Sequence, residues 1–391
     1  MLRPIDVTAL IIRKICFRGG FQVVVTVAVA MLAGSASKPA FGLDGIGAAT
    51  VTKLSACPVG GLSKGTCYKV VIAGCAGTAK DFIAAAKVNL PLNGHASKGT
   101  VFFTTGGAGN AYYDREGEFI GDTRCPGSNC GQMTVQNINA ADYTTVQTNF
   151  SDPDNPRSEP VGWLTGPASD GPRALACRYA TLVHTVWTDV LKSDKSRPVC
   201  ATGNSSGSSA IAYALSQYGM GNSSSPGPEF AMVETTSGPP MGRIDHGCMG
   251  PAAPSLVVGC PNNSPISEDY GMMTAAAFLD PAYDGDVDPT TQTDSLDVCT
   301  VDINSRGAQP DSRFHHDSVV SEDFPNPHYD AQIRVLFGSL DGGAAVSQGQ
   351  EWFNAVTSSK SEACISGAGH ALPHFYQGAQ AIITDMTSMC R

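Results

Sequence analysis

Charge is scarce in this chain. Only 15% of its 391 residues are Asp, Glu, Lys or Arg, and the basic kind is the rarer, 25 against 35 acidic. No basic patch interleaved with aromatics occurs, and a net charge of −10 repels phosphate backbones and anionic lipid, which sets nucleic-acid binding aside. No C-x-x-C pair and no Cys/His spacing suited to a metal is present, so neither a metal nor another cofactor is called for. Internal repeats are missing. The apolar run from Phe21 to Leu32 falls short of the ~20 residues a membrane-spanning helix needs, so stable membrane insertion is not expected.

What is plentiful is glycine and proline, 43 and 25, in a chain that is still 42% hydrophobic. A low-complexity disordered chain would be more charged and less apolar, so this composition implies long ordered loops around a real core. The first residues read as an address. Arg13, Lys14 and Arg18 precede the apolar run, and small residues follow it, the pattern of a secretory signal peptide over residues 1–42 with cleavage after Ala36 or Gly42. That segment holds five basic residues and one acidic one, so its removal takes the net charge from −10 to −14. Of the 13 cysteines only Cys16 lies within it. The other twelve, scattered through loops and element ends, predict disulfides formed in an oxidising compartment, extracellular or periplasmic. Spacing makes Cys125 with Cys130 and Cys248 with Cys260 the expected local bridges.

Strand-like and helix-like runs alternate over the rest of the chain, which predicts an α/β domain over 43–391: a mostly parallel central sheet with helices on both faces. Strands are expected at Tyr68–Ala73, Val101–Thr105, Tyr143–Asn149, Arg197–Thr202, Met232–Thr235, Ile333–Gly338 and Glu362–Ser366, with helices at Pro172–Lys192, Ser208–Gln217 and Phe375–Met389. Between Ser237 and Asp330 the alternation stops. Asp284-Gly285-Asp286-Val287-Asp288 in that stretch starts like a calcium loop, but Pro289 stands where glycine is needed and Ser295 where the bidentate glutamate belongs, so it reads as an acidic turn.

Four short motifs carry chemistry. Gly203-Asn204-Ser205-Ser206-Gly207 has the form G-x-S-x-G between a strand and a small-residue helix. A nucleophilic serine on such a turn is strained, and glycines two positions either side let strand and helix pass closely. Asp341 leaves the strand that ends at Gly338, and His370 follows Gly367-Ala368-Gly369 after the next one. Ser205, Asp341 and His370 thus come in the order nucleophile, acid, base, each at a strand exit. The fourth motif, Gly106-Gly107-Ala108-Gly109, follows the strand ending at Thr105 and suits a loop whose N–H groups approach an oxyanion, where a β-carbon would obstruct. Asp330 and Glu234 are the rival acids, and His374 the rival histidine.

From about Tyr68 to the C-terminus the chain resembles the α/β-hydrolase superfamily on these four motifs. It departs from the hormone-sensitive-lipase-type H-G-G-G loop in having Thr105 where that histidine stands. The resemblance implies a Ser205–His370–Asp341 triad and an oxyanion hole made by the N–H of Ser206 with one from Gly107 or Ala108. It also implies a cap over the site within 237–330, which Cys248, Cys260 and Cys299 would pin. The expected activity is secreted serine hydrolysis of small-molecule or polymeric carboxylic esters. A peptidase on the same fold and a non-catalytic binding module are the alternatives, the latter requiring loss of a triad member that is present here.

Overall fold

Short runs rich in β-branched and aromatic residues pair into one nine-stranded sheet: β1 (Ala48–Lys53), β2 (Thr66–Ala73), β3 (Phe82–Asn89), β4 (Thr100–Thr104), β5 (Thr144–Asn149), β6 (Val199–Asn204), β7 (Phe230–Thr236), β8 (Gln332–Gly338) and β9 (Lys360–Ile365). Their spatial order is β1-β2-β3-β5-β4-β6-β7-β8-β9. Pairing is antiparallel from β1 through β3 to β5 and parallel from β5 across to β9. This computed structural model describes residues 45–57, 65–249 and 312–391, apart from 79, 93, 108, 116–121, 156–161, 169, 224–226 and 343, together with Leu279, Ala282 and Tyr283. The expected signal peptide, the acidic turn at 284–288, Cys260, Cys299 and most of the expected cap lie outside the described residues.

Side-chain alternation along the strands sorts the core into two layers. Phe102 of β4 joins Leu182 and Val183 of α3 (Cys177–Thr185) and Ile211 and Leu215 of α4 (Ser206–Ser216) on one face. Its neighbours Val101 and Phe103 face the other way, into Val135 and Ile138 of α1 (Cys130–Ala140) and Ile382 and Met386 of the terminal helix (Tyr376–Met389, α8). Each such fully buried side chain contributes about 1.5–3 kcal/mol relative to exposure. The sheet is therefore covered on both faces, as the alternating pattern requires.

Three features differ from the sequence reading. The helix expected from Pro172 to Lys192 is broken into α2 (Gly171–Leu175), α3 and a wider π-type turn at Val186–Val190. Thr185 and Thr188 hydroxyls donate back to the carbonyls of Thr181 and His184, which loosens the regular ladder there. Strand β3 was not anticipated. Its sequence FIAAAKVN is poor in β-formers and carries Lys87, whose side chain is fully buried against Asp114 at 2.6 Å. Edge strand β1, helix α1 and α7 (Ala344–Ala355) were likewise unforeseen.

Covalent ties cross the layers. Cys57–Cys67, Cys75–Cys177, Cys125–Cys130 and Cys200–Cys390 are disulfides, and Cys248 and Cys364 are also disulfide-bonded, so all ten described cysteines are paired. Cys200–Cys390 fastens β6 to the C-terminus across 190 residues. Closing so long a loop is worth of order 5 kcal/mol in the chain-entropy account. In the stretch after β7, the residues just before α5 (Ile244–Met249) and just after α6 (Ser312–Asp317) are joined by the backbone bonds Val319 N–H to Met241 O and Val320 N–H to Gly242 O, each 3.0 Å.

Candidate active site

All four motifs sit at the carboxyl ends of the parallel strands β4, β6, β8 and β9. Strand β6 is buried throughout and delivers Ser205 at its end with φ 51° and ψ −120°, the left-handed region that a serine adopts only when its surroundings force it. What forces it is close backbone approach. A β-carbon on Gly203 would lie 2.7 Å from the carbonyl of Gly207, and one on Gly207 would lie 2.6 Å from the carbonyl oxygen of Thr105. The Ser205 N–H donates to Thr236 O at 2.9 Å, and its own carbonyl accepts from the N–H of Ser208 at 2.9 Å, which starts α4. The N–H of Ser206, in the first turn of that helix, is among the donors a helix leaves without an internal partner.

The glycine loop lies directly against the elbow. A β-carbon on Gly106 would sit 3.3 Å from that of Ser205. The loop is a tight turn in which the Gly109 N–H donates to Gly106 O at 3.0 Å, and Gly107 takes φ +59° within it. Ala108 lies outside the described residues. Thr105, at the position where a histidine was missing from the H-G-G-G pattern, turns its hydroxyl to Ala111 O at 3.2 Å.

Asp341 and His370 meet. His370 Nδ1 and Asp341 Oδ2 are 3.0 Å apart, with the Asp341 carboxyl almost wholly buried and the imidazole 43% exposed. A carboxylate only accepts, so Nδ1 is the donor, and in a neutral imidazole Nε2 is then the accepting nitrogen. Their loops are stitched together: Leu340 N–H to Ala368 O at 2.8 Å, Ser339 N–H to Ile365 O at 3.0 Å and Gly367 N–H to Ser339 Oγ at 2.8 Å. Among the described residues no hydrogen bond joins Ser205 to His370. Serine–histidine contacts of this kind commonly form only as substrate closes the site.

The rivals are engaged elsewhere. Asp330 lies before β8, at the opposite end of the sheet, where the backbone N–H and the hydroxyl of Ser223 both donate to it and hold its carboxyl below the usual range. Glu234 lies mid-strand in β7, fully buried beside Thr202, and burial together with nearby Asp385 pushes its carboxyl well above the usual range. His374 closes a 3-10 turn at Leu372–His374.

The sequence reading missed the exit of β7. Ser237 takes φ 49°, and a β-carbon on Gly238 would lie 3.1 Å from Ser205 O, so this turn buttresses the elbow from behind. The run Ser237-Gly238-Pro239-Pro240 was its only sequence signal.

No family model matches the chain, and no curated protein matches it. Similar solved structures include Est1E from Butyrivibrio proteoclasticus, 13% identical with 82% of this chain and 98% of that one covered and a TM-score of 0.41. A dienelactone hydrolase from Anabaena variabilis is 11% identical, with 84% and 97% covered and a TM-score of 0.41. Acetyl xylan esterase 1 from a Thermoanaerobacterium species is 11% identical, with 84% and 85% covered and a TM-score of 0.40. The parallel strands, the strained G-x-S-x-G turn between β6 and α4, and the order of Ser205, Asp341 and His370 at the exits of β6, β8 and β9 give this chain an α/β-hydrolase-type fold.

Proposed function

We propose that the chain is a serine hydrolase that cleaves carboxylic esters through an acyl-enzyme. The observation that carries this reading is the Asp341–His370 pair at the same carboxyl edge of the parallel strands as a serine held in a strained elbow. Ser205 Oγ attacks the acyl carbon while His370 Nε2 takes its proton, and the same proton then passes to the leaving alcohol. Asp341, buried and bonded to Nδ1, keeps the imidazole in the tautomer that accepts at Nε2 and stabilises the imidazolium. The N–H of Ser206 and one from the Gly106–Gly109 loop stabilise the tetrahedral oxyanion. Water then repeats the sequence on the acyl-enzyme and releases the acid.

Ten bonded cysteines among the described residues support export, with residues 1–42 as the signal. No helix among the described residues is long and apolar enough to cross a membrane. The residues from 237 to 330 are the part of the chain we assign as the cap.

The test is turnover of p-nitrophenyl esters of graded acyl length beside chromogenic peptides, with covalent labelling by a fluorophosphonate. Ester turnover and labelling are expected in the wild type, and both are lost in Ser205→Ala, which retains only the background of about 10³–10⁴-fold over water that an intact oxyanion site provides. Undiminished turnover in that variant overturns the assignment.

A further inference from the structure

The two donors of the oxyanion site come from different elements, the first turn of α4 and the loop after β4. Something has to hold them in register. A side-chain hydrogen bond across that seam joins them: the Ser206 hydroxyl donates to the carbonyl oxygen of Gly107. The other end of the loop is held separately. Phe150 N–H donates to Gly109 O at 2.9 Å, and a β-carbon on Gly109 would press within 3.1 Å of both Phe150 and Trp163. Backbone contact at Gly106 and Gly207 brings loop and elbow together but does not fix the rotation of the turn, because Gly107 has open space around it and a positive φ. Ser206 is itself buried, at 1% exposure, so its hydroxyl has no bulk water as an alternative partner.

We propose that the hydroxyl of Ser206 is a positioning residue for the oxyanion site, pinning the glycine turn to the nucleophile elbow. Its backbone N–H serves the oxyanion while its side chain sets where the loop's donor stands. The geometry further assigns that donor to Gly107. A trans peptide points its C=O and its N–H in opposite directions, and the Gly107 carbonyl is turned toward the elbow. The Gly107 N–H belongs to the preceding peptide, whose carbonyl is turned into the turn toward Gly109, so this N–H faces outward from the turn. Seryl hydroxyl, turn carbonyl and two backbone donors thus form one preorganised unit, in which a misplacement of about 1 Å costs up to about 10²-fold in rate.

This inference rests on the hydrolase reading, and the experiment separates the two. Wild type, Ser205→Ala, Ser206→Ala and Ser206→Thr are compared for fluorophosphonate labelling, thermal unfolding, kcat and KM on one p-nitrophenyl ester, and inhibition by an alkyl boronic acid, which mimics the tetrahedral state. Ser206→Ala is expected to unfold at the wild-type temperature within a few degrees and to lose about 10–100-fold in kcat with KM changed less than about threefold. Boronate affinity is expected to fall in parallel with kcat, and Ser206→Thr, which keeps the hydroxyl, to recover to within about threefold of wild type. Wild-type kcat in Ser206→Ala, or equal losses in the Ala and Thr variants, overturns the positioning role and leaves the hydrolase reading intact. Absence of labelling and turnover in the wild type overturns both.

Discussion

The two halves of the candidate site use steric contact and hydrogen bonds in different proportion. The elbow is closed by steric contact: Gly203, Gly207 and Gly238 sit where no β-carbon fits, and Ser205 is 6% exposed. The half that carries Asp341 and His370 has one such contact, at Gly338, where a β-carbon would lie 2.5 Å from Ala368 O; beyond it the two loops are joined by hydrogen bonds, with open space around Gly342 and Gly367 and the imidazole 43% exposed. Steric closure fixes a backbone against any change, whereas hydrogen-bonded loops fix two side chains and tolerate change between them. The backbone at Ser205 is therefore the more tightly constrained, and the loops that carry Asp341 and His370 the less.

The largest effects test the second half. His370→Ala and Asp341→Asn are expected to lower kcat by about 10³-fold or more while thermal unfolding stays close to wild type, whereas His374→Ala changes kcat less than about threefold. Steady-state kinetics on an ester substrate checks it. Loss of activity in His374→Ala or Asp330→Asn instead would mean that the pair at 3.0 Å is not the working one.

Next come the glycines, which set the halves directly against each other. Gly207→Ala drives a methyl into the carbonyls of Thr104 and Thr105 and is expected to cost about 3 kcal/mol or more, or to prevent folding. Gly367→Ala meets nothing within 4 Å and bears only the penalty of its φ of +73°, about 1–2 kcal/mol. Urea unfolding of both variants decides the matter. Equal losses would erase the distinction between steric and hydrogen-bonded closure.

The smallest effect probes the elbow half through pH. Asp317 of α6 is tied to α4, its carbonyl accepting from Tyr213 OH at 2.6 Å and its carboxyl from Tyr283 OH at 2.7 Å. Burial, with Asp170 nearby, pushes this carboxyl up to about 6 although the Tyr283 bond acts the other way. A carboxyl raised on folding favours the folded state fully below its unfolded value near 4, and that contribution is lost as pH rises through about 6. Asp317→Asn keeps an acceptor for Tyr283 without the buried charge. It is expected to gain about 1–2 kcal/mol at pH 7.5 and much less at pH 4.5, read from urea midpoints at the two pH values. A gain independent of pH would assign the effect to packing.

Much of this site could be read before any fold was known. Strand exits were visible because apolar runs such as Ile333–Phe337 end at Gly338, and the glycines at 203 and 207 announced a strand-to-helix turn. The choice of Asp341 over Asp330 also followed from sequence, since one leaves a strand and the other precedes it. By contrast β3 could not be read, because a buried lysine contradicts every composition rule until Asp114, from a segment 27 residues away, is brought to 2.6 Å. The buttress at Ser237 and Gly238 escaped notice for the same reason, as its role exists only against the backbone of Ser205.

The sequence alone determined the periodic and the local: strands alternating with helices, the strand-to-helix elbow at Ser205, and one short disulfide, Cys125–Cys130. Those depend on residues a few positions apart, where spacing is geometry. Only the tertiary structure decided which cysteines pair across 102 and 190 residues and that the Ser206 hydroxyl reaches Gly107. Those are set by how strands order themselves in the sheet, and a contact between distant segments leaves no period in the chain that makes it.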